Sequence, residues 1–204
     1  DLGAGAYGCP YRWRPLTWTV DGVNYVNERA TATQQTGFTF VAQARKWLPN
    51  EIGGLYWFSV DDAASTVFVP IYCGISKVPQ TYAKGNGSMI KWSDNAAFWV
   101  FNQVSNLAYT RYNVIHPEIF KLQQELETKF MQRTTEIDNK AKELYSQNKD
   151  KAIEFITEYS TKTADSVVYA WKDFYAYLFM KYKDGNIMKT QDYKFLDNGN
   201  GKNI

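Results

Sequence analysis

The chain has 204 residues, of which 45% are hydrophobic and 17% aromatic, so it can bury a sizeable core and is not intrinsically disordered. Its 23 basic and 21 acidic residues give a net charge of +2, which excludes a nucleic-acid binder held by bulk charge. Two cysteines are too few for a disulfide scaffold or a thiolate zinc site, and no apolar run approaches the roughly 20 residues of a membrane-spanning helix.

The composition changes at about residue 115. Residues 1–115 hold 10 of the 13 glycines and 5 of the 6 prolines, whereas residues 116–204 hold most of the charged residues. Gly and Pro are typical of turns between strands, and charged sequence with apolar residues every three or four positions is typical of solvated helices. We therefore predict a strand- and loop-rich part over residues 1–115 that ends in a helix, a long-helix extension over 116–185 and a polar tail over 186–204.

Three predicted elements lie before residue 75. Apolar residues at helical spacing predict a short helix over residues 36–47, which Pro49 ends. Aromatic and β-branched residues predict strands over residues 55–60 and 66–73. Because Pro70 cannot donate to a strand ladder, the second strand is expected at an edge or at a bulge.

Three long helices are predicted next, over residues 94–113, 117–147 and 150–183. Ser93 or Asp94 can accept hydrogen bonds from the free amides that begin the first helix. Pro117 fits the first position of the second helix, where its missing N–H costs nothing. In the third, the polar run at residues 160–163 favours a break, and the turn at residues 184–186 ends the helix.

Two cysteines and a single histidine are the candidates for nucleophilic chemistry. A catalytic thiolate needs a neighbouring base or cation, and Cys73 ends an apolar strand, so we expect a buried cysteine there and a helix-capping role for His116. Two alternatives stay open. One is a disulfide between Cys9 and Cys73 in an oxidising compartment; the other is cleavage after Gly8, which would expose Cys9 as an N-terminal nucleophile.

Two polar pairs are candidates for binding. Asp61 and Asp62 could bind a metal or a substrate ammonium, but adjacent carboxylates on an extended chain point to opposite sides, which favours a turn. Asn102 and Asn106 lie four residues apart on one face of a predicted helix, beside its apolar stripe. Each amide there must find a partner in a neighbouring loop or in a substrate, and we favour the structural role.

The aromatic residues allow one further interpretation. Stacking platforms for a sugar could be formed by four tryptophans, Trp13, Trp18, Trp57 and Trp92, although aromatic side chains mostly serve core packing. No Walker loop, dinucleotide fingerprint, His-Glu-x-x-His or paired Cys-x-x-Cys motif occurs. The residue patterns alone therefore predict an outline of the fold and no mechanism.

Six segments, read in order, carry a resemblance to a known family. They are residues 11–18, 36–39, 42–49, 53–58, 61–74 and 96–106, the last reading Ala-Ala-Phe-Trp-Val-Phe-Asn-Gln-Val-Ser-Asn. In this order and spacing the chain resembles the C-terminal half of the cysteine dipeptidases of the N-terminal-nucleophile hydrolase class, the PepD-type enzymes, with the secernins as distant relatives. The resemblance spans about residues 1–130 and, more loosely, the helices to about residue 185.

The resemblance implies an α+β fold, in which the chain forms the C-terminal part of an α-β-β-α sandwich followed by a long helical extension. It also implies that an N-terminal cysteine attacks the peptide carbonyl, with its own α-amine as the base and with no metal or organic cofactor. Because neither Cys9 nor Cys73 matches the context of that nucleophile, we expect the nucleophile to lie in a missing N-terminal half. This chain alone is then expected to be inactive.

Substrate contacts are expected from Arg45, Tyr72, Asn102 and Asn106, polar residues inside or beside the matching motifs. Hydrolases of this class hold the oxyanion and the substrate carboxylate with amides and cationic side chains. The expected partners are a dipeptide or short peptide and the missing half of the same protein, without nucleic acid or a membrane span; a homo-oligomer stays open. Two other functions also stay open: a related acylase, and a non-catalytic module that binds sugars or cell-wall peptides.

Overall fold

The computed structural model describes residues 5–11, 16–27 and 32–196. The described chain is an α+β protein. Its strands and helices, in chain order, are β1 Thr17–Val20, β2 Val23–Val26, β3 Phe38–Ala44, α1 Asn50–Gly53, β4 Gly54–Val60, β5 Val69–Tyr72, α2 Ala97–Thr110, α3 Tyr112–Gln147, α4 Lys149–Tyr182, β6 Thr190–Gln191 and β7 Lys194–Phe195. Single 3₁₀ turns cover Gln80–Tyr82 and Lys183–Gly185.

The largest sheet has the order β3-β4-β5, and both pairings are antiparallel. The strand predicted over residues 55–60 is confirmed as β4. The next strand is shorter than predicted, because the backbone N–H of Phe68 donates to Glu127 Oε1 of α3 at 3.0 Å instead of joining the ladder. Pro70 lies in β5, an edge strand of the described sheet, as predicted.

The helix predicted over residues 36–47 is wrong, because this segment forms β3. Phe38 to Ala44 pair residue by residue with Val60 to Gly54 of β4. Phe40 and Val41 lie on opposite faces of β3, and both are about half exposed. Apolar side chains on both faces of a strand can imitate the spacing of a helix in the sequence. β-branched and aromatic residues with a partner strand at hand favour the extended conformation.

Helix α2, the first of the three predicted long helices, begins later than predicted. It starts at Ala97, and its N-cap residue, Ala96, makes no side-chain capping bond. Ser93 lies before the turn that begins the helix: its Oγ donates to Asn86 Oδ1 at 2.7 Å and accepts from the backbone N–H of Asn95 at 3.4 Å, and neither bond reaches an amide of α2. The predicted cap at Ser93 or Asp94 is therefore wrong.

Pro117 does not begin the second of the predicted long helices, which is α3. Helix α3 starts at Tyr112 and encloses the proline, so the carbonyl of Asn113 loses its usual amide donor. The same start places His116 inside the helix and excludes the capping role expected for it. Its Nε2 lies 3.0 Å from the carbonyl oxygen of Ala64, and its ring stacks on Tyr112.

Helix α4 is continuous, so the break predicted at residues 160–163 is wrong. The hydroxyl groups there have partners that keep the helix intact. Ser160 Oγ accepts from the backbone N–H of Tyr72 at 3.1 Å, and Thr161 Oγ1 donates to the carbonyl of Thr157 at 2.8 Å. The predicted end of the helix, at residues 184–186, agrees with the 3₁₀ turn over Lys183–Gly185.

Helices and strands share two apolar clusters. The larger one joins Val67 and Val69 to buried residues of α2, α3 and α4 around Trp171. The smaller one packs Leu55 and Tyr72, on one face of the large sheet, against α1, α3 and α4.

The boundaries predicted at residues 115 and 185 stay a prediction. The segment expected to be a polar tail contains a short hairpin, β6–β7, whose Phe195 ring lies 5.6 Å from that of Tyr177.

The opposite face of the large sheet is partly uncovered among the described residues. Phe38, Phe40 and Tyr56 are 61%, 49% and 42% exposed. Their rings form a contiguous aromatic surface: the centroids of Phe38 and Phe40 lie 6.5 Å apart and those of Phe40 and Tyr56 lie 5.2 Å apart. We call these three residues the aromatic face.

The β1–β2 hairpin is exposed along its whole length. Its antiparallel strands pair Trp18 with Tyr25, whose rings stack with centroids 6.0 Å apart. Two-stranded hairpins are marginally stable in water without a covering layer.

Candidate functional site

The loop between β4 and β5 is held by buried carboxylates. Asp61 follows β4 directly with a left-handed φ of 67° and is 1% exposed. Its Oδ1 accepts from Asn102 Nδ2 at 2.8 Å, and its Oδ2 accepts from Ser105 Oγ at 2.6 Å. The unusual backbone conformation therefore directs the carboxylate onto α2.

Asp62 forms the predicted turn. Its Oδ1 accepts from the backbone N–H of Ala64 at 3.1 Å, and its Oδ2 accepts from Ser65 Oγ at 3.0 Å. The phenol of Tyr109, on α2, donates to the same Oδ2 at 3.0 Å. Both carboxylates are thus satisfied by hydrogen bonds and make no described ion pair with a basic side chain.

Burial raises the pKa of Asp61, and this effect outweighs the hydrogen bonds from Ser105 and Asn102, which lower it. The folded state therefore binds a proton at Asp61 more tightly than the unfolded state does. The stability that this proton contributes is complete below the ordinary pKa of an aspartate, about 3.9, and is lost as the pH rises through the raised value.

Asp61→Asn, which removes the titration, is expected to change the pH dependence of stability. An asparagine keeps the side-chain shape and tolerates a positive φ. The free energy of unfolding of the variant, relative to wild type, should therefore rise between pH 3 and pH 7, as measured by urea titration. The exposed control Asp94→Asn should show a smaller trend. A relative stability of Asp61→Asn that stays flat or falls with pH would contradict this prediction.

The two predicted amides lie beside this cluster. Asn102 is half-buried and bound to Asp61, which supports the structural role we favoured. Asn106 is exposed, and its Nδ2 donates to the backbone carbonyl of Asn102 at 2.9 Å. It also lines a pocket of about 400 Å³ between the N-terminal segment and α2, whose other lining residues are Cys9, Tyr11, Gln34, Tyr109 and Thr110. We call it the tyrosine pocket.

The other two predicted residues lie in a separate cluster. Arg45, just after β3, places its guanidinium against Asp138 of α3, with Nη1 at 2.8 Å from Oδ1 and 2.6 Å from Oδ2. Its Nε and Nη2 donate to the carbonyls of Gly53 and Ile52. The phenol of Tyr72 donates to Asp138 Oδ1 at 2.6 Å, and burial with this carboxylate raises the pKa of Tyr72.

A groove of about 640 Å³ adjoins the Arg45–Asp138 pair and runs between β3, β4 and α3. Trp47 and Trp57 line it together with Lys142. Because three nitrogens of Arg45 already donate to protein oxygens, the side chain is positioned by the fold. Substrate contact by Arg45 or Tyr72 stays a prediction.

Sequence reasoning missed two residues: Tyr109, which binds Asp62, and Asp138, which joins Arg45 to Tyr72. Asp138 lies in the charged helix predicted over residues 117–147, which the composition indicates to be solvated. Its neighbour in sequence, Ile137, and Ala141, three residues later, are both buried, which is a signal that Asp138 borders the packed face. For Tyr109, the partner Asp62 is 47 residues away, and no local pattern indicates the contact.

Both cysteines are free thiols, so the disulfide considered between Cys9 and Cys73 is wrong. Cys73 is exposed and not buried as expected, because the strand ends at Tyr72 and the chain turns outward. Desolvation nevertheless raises the pKa of the Cys73 thiol, the opposite of what a nucleophile needs. Cys9 is half-buried in the tyrosine pocket among phenols and amides.

The tryptophans considered as a sugar platform do not form one surface. Trp18 stacks within the β1–β2 hairpin, Trp57 lines the groove and Trp92 lies beside Trp99. Trp13 lies outside the described residues. Among the residues that the structure describes, no three metal-ligating side chains converge, and no helix carries the long apolar stretch that a bilayer crossing requires.

One family match covers the polar residues around Asp61 and Asp62 and those around Arg45, apart from Asp138 and the pocket residue Cys9. The model of Peptidase family C69 matches residues 11–125, more than half of the chain. The chain is therefore a hydrolase of the peptidase class. It belongs to Peptidase family C69, which confirms the resemblance to the PepD-type cysteine dipeptidases. A comparison with curated proteins found no match.

Proposed function

We propose that this chain is the C-terminal portion of a cysteine dipeptidase whose N-terminal cysteine nucleophile lies outside these 204 residues. The observation that carries the proposal is the match to Peptidase family C69 over residues 11–125. The α-amine of the external cysteine would take the thiol proton as the sulfur attacks the carbonyl of the scissile peptide bond. The ammonium so formed would pass the proton to the nitrogen of the second residue, which leaves as the amine, and water then hydrolyses the thioester.

The surroundings of the two thiols in this chain support an external nucleophile. A reactive cysteine needs a cation, a base or a helix N-terminus that lowers its pKa. Desolvation acts in the opposite direction on Cys73, and the pocket around Cys9 is lined by phenol, amide and hydroxyl groups.

The aromatic face supports a missing layer of structure. Soluble proteins rarely leave a contiguous apolar surface uncovered unless something packs on it. In a sandwich, a second sheet lies about 10 Å from the first and covers such a face with its own side chains. A second sheet supplied by the rest of the protein would cover Phe38, Phe40 and Tyr56.

The test uses the intact enzyme, with the sequence upstream of this chain included. We expect hydrolysis of Ala-Ala, and we expect replacement of the N-terminal cysteine by serine to lower kcat at least a thousandfold, because the hydroxyl is a far weaker nucleophile at neutral pH. The matched control is the double variant Cys9→Ser/Cys73→Ser, whose activity should stay within about twofold of wild type.

Two results would contradict the proposal. One is turnover of Ala-Ala by the isolated 204-residue chain that is lost when Cys9 or Cys73 is replaced. The other is a preference of the intact enzyme for N-acyl substrates over free-amine dipeptides, which would make it an acylase.

A further inference from the structure

The loop that precedes α2 carries two apolar side chains that are exposed to solvent. Met89 and Ile90 are 73% and 99% exposed. They form the centre of a tight turn, because the backbones of Ser88 and Lys91 exchange two hydrogen bonds, at 2.8 and 3.2 Å, on either side of them. The turn therefore holds both residues at the end of the loop. We call Met89 and Ile90 the apolar tip.

The loop behind the apolar tip is braced by hydrogen bonds and an aromatic contact. Trp99 of α2 donates its indole N–H to the carbonyl of Ser88 at 3.2 Å. Its ring centroid lies 5.3 Å from that of Trp92, which is 54% exposed. Ser93 Oγ donates to Asn86 Oδ1 at 2.7 Å and ties the two sides of the loop together. The shape of the loop is thus fixed by its own contacts, and that shape exposes the tip.

The side chains next to the apolar tip are a lysine and a tryptophan. Lys91 and Trp92 follow it directly, Lys84 precedes it, and all three residues are exposed. At the surface of a bilayer, apolar groups enter the acyl region, tryptophan rings lie at the depth of the headgroups, and lysines extend toward the lipid phosphates. Single exposed apolar residues are common on proteins, but this loop combines all three kinds of side chain within four residues.

The charge beside the apolar tip is positive. Residues 63–93 contain three lysines and no aspartate or glutamate. One of the lysines, Lys77, lines a separate groove with carboxylates of α4, so the charge near the tip comes from Lys84 and Lys91. The nearest acidic residue in the sequence, Asp94, follows the loop at its base. The end of the loop therefore attracts an anionic surface.

The side of the loop region that faces α4 is polar and paired. Asp165 of α4 accepts from the backbone N–H and the hydroxyl of Thr81, at 3.2 and 2.7 Å. Lys172, also on α4, donates to Asn95 Oδ1 at 3.0 Å. These contacts attach the loop region to α4 and leave the apolar tip at its solvent end.

The mixture of lysines and apolar residues favours a lipid surface over a protein partner, because lysine is depleted in protein–protein interfaces and is typical of segments that contact anionic lipids. We propose that the apolar tip docks the protein on an anionic lipid bilayer, with Met89 and Ile90 in the acyl region and with Lys84 and Lys91 against the phosphates. Such docking involves one leaflet and needs no membrane-spanning helix.

The test measures how the intact protein, with the sequence upstream of this chain included, sediments with lipid vesicles. Wild type should bind vesicles made of equal parts of phosphatidylglycerol and phosphatidylcholine, and binding should weaken at high salt. Ile90→Ser should lower the partition coefficient about tenfold, because burial of an isoleucine side chain contributes at least this factor. Lys91→Gln should lower it about fivefold on the mixed vesicles and leave it unchanged on pure phosphatidylcholine.

The matched control is Ile187→Ser, the same change at another exposed isoleucine. Ile187 is 56% exposed and lies beyond the C-terminal end of α4, outside the loop. This variant should bind vesicles like wild type. Docking is independent of the proposed peptidase chemistry, so the rate of Ala-Ala hydrolysis in solution should be the same for wild type and Ile90→Ser.

Three results would overturn the inference. The first is intact wild type that does not bind the mixed vesicles, and the second is equal binding by Ile90→Ser and Ile187→Ser. The third is a change in the urea midpoint or in the oligomeric state of intact Ile90→Ser, which would assign the apolar tip to a contact with the rest of the protein or with a second copy.

Discussion

Replacing Asp138 with alanine is expected to lower the free energy of unfolding by about 3–5 kcal/mol, the usual cost of removing one partner of a buried ion pair. The Arg45 side chain is only 2% exposed and that of Asp138 is 14% exposed. The variant would leave the guanidinium without its carboxylate and the Tyr72 phenol without its acceptor at 2.6 Å. Urea titration followed by tryptophan fluorescence measures the loss.

The matched control is Glu143→Ala, which removes a surface partner of Lys140 on the same helix. Both side chains of that pair are about half exposed, so the loss should be at most about 1 kcal/mol. The second variant, Arg45→Met added to Asp138→Ala, should recover part of the lost stability, because it removes the uncompensated buried charge. Equal losses for Asp138→Ala and Glu143→Ala would show that the Arg45–Asp138 pair is not a buried one.

Replacing Trp171 with alanine is expected to cost about 3–5 kcal/mol, because the cavity would lie at the centre of the larger apolar cluster. Trp171 is fully buried, and its ring centroid lies 5.0 Å from that of Phe101 and 5.4 Å from that of Phe174. The side chain therefore joins α4 to α2. Far-UV circular dichroism during urea titration is the appropriate measurement, since the substitution removes a fluorophore.

Trp171→Phe separates packing from polarity. The indole Nε1–H is buried and has no partner among the described residues, so wild type already bears the cost of an unsatisfied donor. Phenylalanine removes that donor and keeps most of the ring, and the expected loss is below about 1.5 kcal/mol. A loss as large as that of the alanine variant would contradict the central packing role of the ring.

The sequence predicted the long helices best, because apolar residues recur there at intervals of three and four over 14, 36 and 34 residues, and a local signal of that length outweighs single tertiary contacts. The same signal failed at residues 36–47, where apolar side chains serve both faces of β3 and the pairing with β4 decides the conformation. The predicted break in α4 failed for a related reason, since Ser160 bonds to a strand 88 residues earlier.

The sequence named Arg45, Tyr72, Asn102 and Asn106, but it did not indicate their arrangement, and it missed Asp138 and Tyr109. Asn102 and Asn106 do lie together, four residues apart on α2, as helical geometry requires. The hydrogen bond from Asn102 to Asp61 joins residues 41 apart in the sequence. The contact of Arg45 with Asp138, which also binds Tyr72, joins residues 93 apart. Sequence spacing gives no measure of such contacts.

The outer edge of β3 has a practical consequence for handling the protein. Among the described residues β3 pairs with β4 alone, so its other side offers a row of unused backbone N–H and C=O groups next to Phe38 and Phe40. Such an edge can act as a template for strand addition by further copies. Preparations that lack a covering layer should therefore be kept dilute, and they should be checked for fibrillar or amorphous precipitate before any kinetic measurement.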